Sequence, residues 1–179
     1  LLVTNSETIG SLAGGGATGG SVQSAAGQTL TTGAADTSTS FAGVISGSGG
    51  LTKTGTGTFT LSGSNTYAGT TTVSGGTLEL QNGAAISDSG AVVLDNTAGG
   101  NLLVTYSETI GSLAGGGASG GNVQVAAGQT LTTGGANTST SFAGVISGSG
   151  GLTKQGSGTF TLSGTSTYAG ITTVSAGVL

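Results

Sequence analysis

Carboxylates are the side chains of this sequence whose chemistry best suits catalysis. Asp88 and Asp95 lie close together in the sequence, and Glu79 precedes Asp88 by nine positions. Two carboxyl groups about 5–10 Å apart are what glycoside hydrolysis requires. The sequence has no Arg and no His, so no side chain would bind a substrate carboxylate or shuttle a proton. We therefore expect these acids to cap corners or face solvent, and we predict no catalytic residue and no enzyme activity.

The sequence also lacks the motifs of a metal site and of a phosphate-binding loop. A calcium-binding β-roll needs an Asp in each Gly-Gly-x-Gly-x-Asp repeat, and the glycine run 115–121 has none. The similar run 14–20 lacks the Gly-Lys-Ser/Thr of a phosphate loop, and no helix is predicted after either lysine, Lys53 or Lys154. We predict no metal ligand, no cofactor-binding residue and no cofactor.

The amino-acid composition excludes further classes of protein. Gly accounts for 40 of 179 residues, 4% are charged, and the net charge is −4. The absence of Cys and His excludes thiol chemistry and a Cys/His zinc site, and two lysines are too few for a nucleic-acid face. No apolar run is long enough to span a membrane as a helix. Low charge combined with 34% hydrophobic residues argues against disorder.

The sequence repeats itself. Residues 1–78 align without a gap to residues 102–179, an offset of 101, and 65 of the 78 positions are identical. Asp36 becomes Asn137 between the copies, so that carboxylate is not required in both. We interpret 1–101 as one unit and 102–179 as a partial second unit of one continuous solenoid, 1–179. We expect more rungs to follow directly at both ends, within one chain or between subunits.

A shorter period of about 20 residues lies within the unit, as in a solenoid whose chain returns to the same place on every turn. One apolar series includes Val22, Phe41 and Leu61, and a second recurs at a similar spacing apart from one short step, between Leu94 and Ile110. Alternating stretches such as 58–62 are typical of strands, and glycine-rich clusters such as 98–100 suit corners. The pattern predicts an all-β fold, a parallel β-helix of about 20 residues per rung, where one rung is one circuit of the axis. A unit would take five rungs and the chain about nine.

Several side chains have predicted structural roles. We expect Phe41, Phe59, Phe142 and Phe160 to fill the core. Tyr67 and Tyr168 are expected to plug corners, and stacking against a carbohydrate is the weaker alternative for this pair. Lys53 and Lys154 are expected to be solvated or to protect an edge. Thr-rich stretches such as 70–72 raise an ice-binding alternative, but the rungs near Val22 and Val123 lack the outward Thr pair it needs. Hydroxyl ladders are the simpler interpretation.

The stretch Phe41–Leu78 closely resembles the passenger-associated transport repeat of bacterial autotransporters and related large adhesins. It begins FAGVISGSGGLTKTGTGTFTLSG, and Phe142–Leu179 resembles the same repeat, with Ser166 replacing Asn65 and Ile171 replacing Thr70. The resemblance implies a right-handed β-helical passenger that is secreted through an outer-membrane barrel. It places the segment outside the cell or on the bacterial outer surface. The two replacements are expected to weaken a corner or a surface position.

Two functions remain open. The first is a structural stalk or filament segment, a stiff rod for adhesion or surface projection. The alternative is an adhesive module that binds a glycan or a host protein through one face. Near-identity between the copies favours the first, because spacer units need only stack. The expected partners are neighbouring repeats of the same chain or identical subunits stacked end to end, and a glycan or host surface. Neither nucleic-acid binding nor membrane insertion is expected.

Overall fold

Period-two alternation between glycine-rich corners folds this chain into short strands. The computed structural model describes residues 1–16, 19–97 and 99–179. Ala17, Thr18 and Ala98, which belong to glycine-rich corners noted above, lie outside the described residues. The strands are β1 (Leu2–Val3), β2 (Glu7–Ile9), β3 (Ser21–Ser24), β4 (Thr29–Thr32), β5 (Thr39–Phe41), β6 (Val44–Gly47), β7 (Gly50–Lys53), β8 (Thr58–Leu61), β9 (Thr71–Val73), β10 (Thr77–Leu80), β11 (Ala91–Leu94), β12 (Asn101–Val104), β13 (Glu108–Ile110), β14 (Ser112–Gly115), β15 (Asn122–Val125), β16 (Thr130–Thr133), β17 (Thr140–Phe142), β18 (Ile146–Gly148), β19 (Gly151–Lys154), β20 (Phe160–Leu162) and β21 (Thr172–Val174).

These strands stack into three walls around one axis. Wall B is a single sheet in the order β2-β4-β7-β9-β11-β14-β17-β20, and wall C is the sheet β5-β8-β10-β12-β15-β18. Wall A begins with β1-β3-β6 and ends with β13-β16-β19-β21. Between these two sheets, wall A is completed by residues 65–68 and 84–87, which form no strand but hydrogen-bond along the same stack.

All pairs between these strands are parallel, and paired residues lie 19 to 27 positions apart. The chain runs from wall A to B to C and completes about eight rungs, close to the nine expected. A rung averages about 22 residues rather than 20, as in a solenoid with corners of unequal length. The glycine-rich corner after β14 contributes to this, because Gly115 pairs with Phe142 across the longest sequence separation between these strands. The 101-residue unit takes four and two-thirds rungs, so the prediction of five is wrong.

The core is a column of apolar side chains inside the three walls. In wall C, Leu78, Leu102 and Val123 stack in register and are fully buried. The four phenylalanines are each no more than 3% exposed, which confirms their predicted place in the core. The interior is therefore continuous from one sequence copy to the next.

Glycine is required where a corner brings two backbones together. Gly47 ends β6 with a φ of 95°, and a Cβ there would lie 2.1 Å from the carbonyl oxygen of Ser24 in the preceding rung. Its counterpart Gly148 has the same geometry, with a φ of 96°. Within the described ranges, no helix has the length and apolar character to cross a membrane.

Candidate functional surface

The three acids that best suited catalysis do not converge. Glu79 lies on wall C, where its carboxylate accepts hydrogen bonds from Thr60 Oγ1 at 2.9 Å and Gln81 Nε2 at 3.0 Å. Asp95 follows β11 in wall B and accepts from Ser74 Oγ at 2.6 Å. Asp88 is exposed in the corner before β11. Across the described residues, no group of three or more Asp, Glu, His or Cys could hold a metal ion.

Asp36 acts as a corner cap. It has a positive φ of 59°, a conformation that Asp and Asn tolerate better than most residues. Its Oδ1 accepts the backbone N–H of Thr56 at 2.7 Å, one rung away. Asn137 has a φ of 60° and accepts the N–H of Ser157 at 2.9 Å through the same atom. The prediction that a carboxylate is not required at this position is confirmed, because an amide oxygen caps the corner in the same way.

Glu108 is a buried carboxylate that sequence reasoning missed. It is 2% exposed, and its oxygens accept the backbone N–H groups of Ile86 at 2.6 Å and Ala85 at 3.3 Å. Burial raises the pKa of Glu108 to about 7, the two N–H groups oppose the shift, and the nearby Asp88 carboxylate adds to it. Residues 84–87 form no strand, so this side chain replaces a missing part of the wall A ladder. A perturbed pKa often marks a catalytic acid, but here it accompanies a structural cap.

The prediction that Lys53 and Lys154 are solvated is wrong. Both are 0% exposed. The Lys53 Nζ donates to the carbonyl oxygens of Thr54 at 2.6 Å, Gly55 at 3.3 Å and Gly75 at 3.2 Å, the last one rung away. Lys154 repeats this pattern with the carbonyl oxygens of Gln155, Gly156 and Ala176. Burial lowers the pKa of Lys53, and the Asp36 carboxylate acts in the opposite direction. Each ammonium group thus ties a glycine corner to the next rung.

The side chain of Asn65 is a further buried polar group, and it lies in wall A. Asn65 is 4% exposed; its Oδ1 accepts from Ile45 N at 2.7 Å and its Nδ2 donates to the Ala85 carbonyl at 2.8 Å. It therefore links three successive rungs. In the second copy Ser166 keeps one of these bonds, from Ile146 N to its Oγ at 3.2 Å. The expected weakening of a corner is visible in this shared bond, which is 3.2 Å at Ser166 and 2.7 Å at Asn65.

The predicted corner plug is confirmed for Tyr67. This residue is fully buried, and its hydroxyl hydrogen-bonds to Thr71 Oγ1 at 2.5 Å. Burial raises the pKa of the Tyr67 hydroxyl far above its usual range. Its counterpart Tyr168 makes the same bond to Thr172 but is only half-buried. Ile171 stands in place of Thr70, which is exposed within the rod, so this replacement occupies a surface position.

Alternation is the signal that would have found the buried charges. In β7 the pattern is buried at Leu51, half-exposed at Thr52 and buried at Lys53. In β13 it is buried at Glu108 and at Ile110, with Thr109 between them half-exposed. A strict period-two alternation predicts that the side chains of Lys53 and Glu108 point inward. Their residue types alone would favour exposure to solvent.

An amide-lined groove lies on the outer surface of wall C, at the boundary between the copies. Asn101 and Asn122 stack in register along it, and the exposed Gln124 lies on the neighbouring ladder beside Leu103. Asn122 Oδ1 accepts from Val145 N at 2.9 Å, whereas Gln124 projects into solvent. The groove is lined by uncharged residues, namely Thr77, Asn101, Leu102, Leu103, Asn122, Val123, Gln124, Val145 and Ser147. Amides and hydroxyls of this kind can hydrogen-bond to an uncharged polar ligand.

Comparison with known proteins connects these features to a family. The passenger-associated-transport-repeat family matches residues 51–80 and 152–179. The first match contains Lys53, Asn65 and Tyr67, the buried polar groups described above. The chain is also 42% identical over 164 residues to a protein named adhesin BmaC autotransporter, from Brucella suis biovar 1 (strain 1330). That alignment covers 90% of this chain and 5% of the length of the relative.

No solved structure matches the chain significantly. The fold assignment therefore rests on the three parallel walls, which have the architecture of a β-solenoid. Together with the two matched repeats and the related adhesin, these walls confirm the resemblance noted from the sequence. This chain is a tandemly repeated β-solenoid segment, and it carries two matches to the passenger-associated-transport-repeat family.

Proposed function

We propose that this chain is a stiff spacer in a repetitive bacterial surface protein and that it lies outside the cell. The observation that carries the proposal is the unbroken backbone pairing across the boundary between the copies. At that boundary β10 pairs with β12 over four residues in wall C, and β11 pairs with β14 over four residues in wall B. Flexible junctions between domains lack such main-chain pairing. The rod is thus as continuous between units as within them.

The dimensions follow from the stacking. Neighbouring strands lie about 4.8 Å apart, so about eight rungs make a rod of about 40 Å, and each further unit adds about 22 Å. Each tandem duplication of the unit lengthens such a spacer by the same amount. Identical units serve this role well, since each one need only stack on the last. The partners of the segment would be neighbouring repeats of its own chain or identical subunits stacked end to end.

The positions of the acids support a non-enzymatic role. Glu79, Asp95 and Asp36 hold loops or strands through hydrogen bonds, and Glu108 caps two buried N–H groups. A glycosidase site needs two carboxyl groups facing one substrate bond. Asp88 lies near Glu108, but Glu108 is buried and its oxygens accept backbone N–H groups, so the two carboxyl groups do not face one substrate bond.

The amide-lined groove on wall C favours a second candidate function, an adhesive module that binds a glycan or a host protein. Its exposed Gln124 would contribute the amide group for a neutral polar ligand. Of the residues that line the groove, Asn122 replaces Ser21 of the first copy, whereas Gln124 corresponds to an identical residue, Gln23. The groove therefore includes one amide that the first copy lacks.

Two measurements test the spacer proposal. Small-angle scattering of the chain should give a rod of about 40 Å, and insertion of one more 101-residue unit should lengthen it by about 22 Å. A glycan array should show no reproducible binding by the chain or by the matched variant Gln124→Ala. Micromolar binding to one glycan class, lost in Gln124→Ala, would overturn the spacer role in favour of the adhesive module. A length increment far from the expected one would overturn the stacked rod itself.

A further inference from the structure

Equivalent strands of the two sequence copies lie on different walls. The strand β2 lies on wall B, whereas its counterpart β13 lies on wall A. Likewise β5 lies on wall C and β17 on wall B, and β3 lies on wall A and β15 on wall C. Every pair is displaced by one wall in the same direction. The second copy is thus turned by a third of a rung relative to the first.

The cause is the number of wall segments in a unit. Eleven strands and three strand-less segments, 11–15, 65–68 and 84–87, make fourteen segments in residues 1–101. Fourteen is not a multiple of three, so a unit ends two-thirds of the way around a rung. The sequence carries a trace of this offset, because the single short step of the second apolar series, from Leu94 to Ile110, is a change from wall B to wall A.

Equivalent corners of the two copies form the same hydrogen bond although they lie at different edges of the rod. In the first copy the backbone N–H of Ser6 donates to Gln28 Oε1 at 2.8 Å, at a corner leading into wall B. In the second copy Ser107 and Gln129 make the same bond at 2.8 Å, at a corner leading into wall A. The same sequence therefore builds the same corner at two different edges of the rod. Nothing in this corner ties a unit to one orientation.

We propose that an array of these units winds its surface features around the rod, with each unit turned by a third of a rung relative to the one before. This inference rests on the proposed function, since it concerns a spacer of stacked units. Equivalent residues return to one side after three units, about 300 residues and fourteen rungs, or about 67 Å along the axis. A partner that approaches from one side, including a second parallel rod, meets a given surface feature on every third unit. Equivalent surface residues therefore do not form a continuous line along one side of the array.

Disulfide cross-linking tests the offset in this chain, which has no Cys of its own. Glu79 and Leu103 are paired, outward-facing residues across the boundary, at a spacing that a disulfide spans. We expect Glu79→Cys/Leu103→Cys to cross-link in most molecules under mild oxidation, read as a loss of two mass units. If a unit instead took five whole rungs, Leu103 would stack in wall A beside residues 84–87. The matched pair Ser87→Cys/Leu103→Cys would then cross-link.

A third pair separates failure of this proposal from failure of the rod. Thr31 and Thr52 are paired within the first unit, so Thr31→Cys/Thr52→Cys should cross-link in any stacked rod. If that pair fails, the spacer proposal fails with it. If that pair succeeds, cross-linking of Ser87→Cys/Leu103→Cys, or of neither boundary pair, overturns the winding alone.

Discussion

The carboxylate of Glu108 accepts the backbone N–H of Ile86 at 2.6 Å, from a residue 22 positions earlier and one rung away. Ile86 belongs to residues 79–101, which have no second copy in this sequence, whereas Glu108 belongs to the repeated part. The bond therefore joins the end of one unit to the start of the next in wall A. The counterpart of Glu108 is Glu7, which is exposed.

The first prediction concerns pH. Because the pKa of Glu108 is raised from 4.5 to about 7 by burial, the unfolded chain releases this proton at lower pH than the folded chain. Between these values the folded chain binds more protons, so the contribution of Glu108 to the free energy of unfolding falls as pH rises. The loss reaches about 3 kcal/mol above pH 7. Denaturant titrations between pH 4 and 8 measure it.

Matched variants isolate that contribution from the other acids. Asp88 and Tyr67, the titratable groups that interact with Glu108, stay in place in Glu108→Gln. This variant keeps an oxygen acceptor and should lose most of the pH dependence. Glu7→Gln alters the exposed counterpart and should follow the parent chain at every pH. An unchanged pH slope in Glu108→Gln would contradict the assignment.

The second prediction concerns the lysines. Since both ammonium groups are enclosed by backbone carbonyls, an amine-reactive acylating reagent at pH 8 should modify neither Lys53 nor Lys154 in the folded chain. Both should react in denaturant. Mass spectrometry of digested peptides gives the modified fraction at each site. The control Thr31→Lys adds an outward-facing amine on wall B, which should react within minutes in the folded state. Comparable labelling of Lys53 and this control would contradict the burial.

The third prediction concerns the corner at Asp36. Asp36→Asn should change the free energy of unfolding by less than about 0.5 kcal/mol, because Asn137 makes the same bond at the same φ. Asp36→Ala removes the acceptor and places Ala in the left-handed region, and it should cost about 2 kcal/mol. Asn137→Ala is expected to cost a similar amount. Urea denaturation measures all three, and an equal effect of Asp36→Asn and Asp36→Ala would refute the capping role.

The fourth prediction compares Asn65 with Ser166. Asn65→Ser gives up the bonds to the carbonyls of Gly63 and Ala85 and should destabilise the chain by about 1–2 kcal/mol. The reciprocal change, Ser166→Asn, should gain less than that, because the second copy within these 179 residues has no counterpart of Ala85 to accept the amide. Thermal unfolding monitored by circular dichroism compares the two. A larger effect at 166 than at 65 would contradict the three-rung link.

Much of the fold was predictable because it depends on local pattern. Alternation around Phe59 and Leu78 requires a strand with one buried face, and the regular recurrence of such strands along the chain requires a coil. Glycine at positions such as 47 permits the sharp corners that close it. The replacement of Asp36 by Asn137 indicated that a carboxylate is not required there, whereas the cap itself depends on Thr56 in the next rung.

The sequence by itself determined the solenoid, its approximate period, the phenylalanine core and the kinship to transport repeats. The tertiary structure decided which wall each strand joins, because strands of unlike sequence, β10 with β12 and β11 with β14, pair at the boundary between copies. It also decided the burial of Lys53 and Glu108, because only the next rung supplies the carbonyl of Gly75 and only the preceding one the N–H of Ile86. A residue's type and neighbours limit what it can do, but its partners one rung away are set by the stacking.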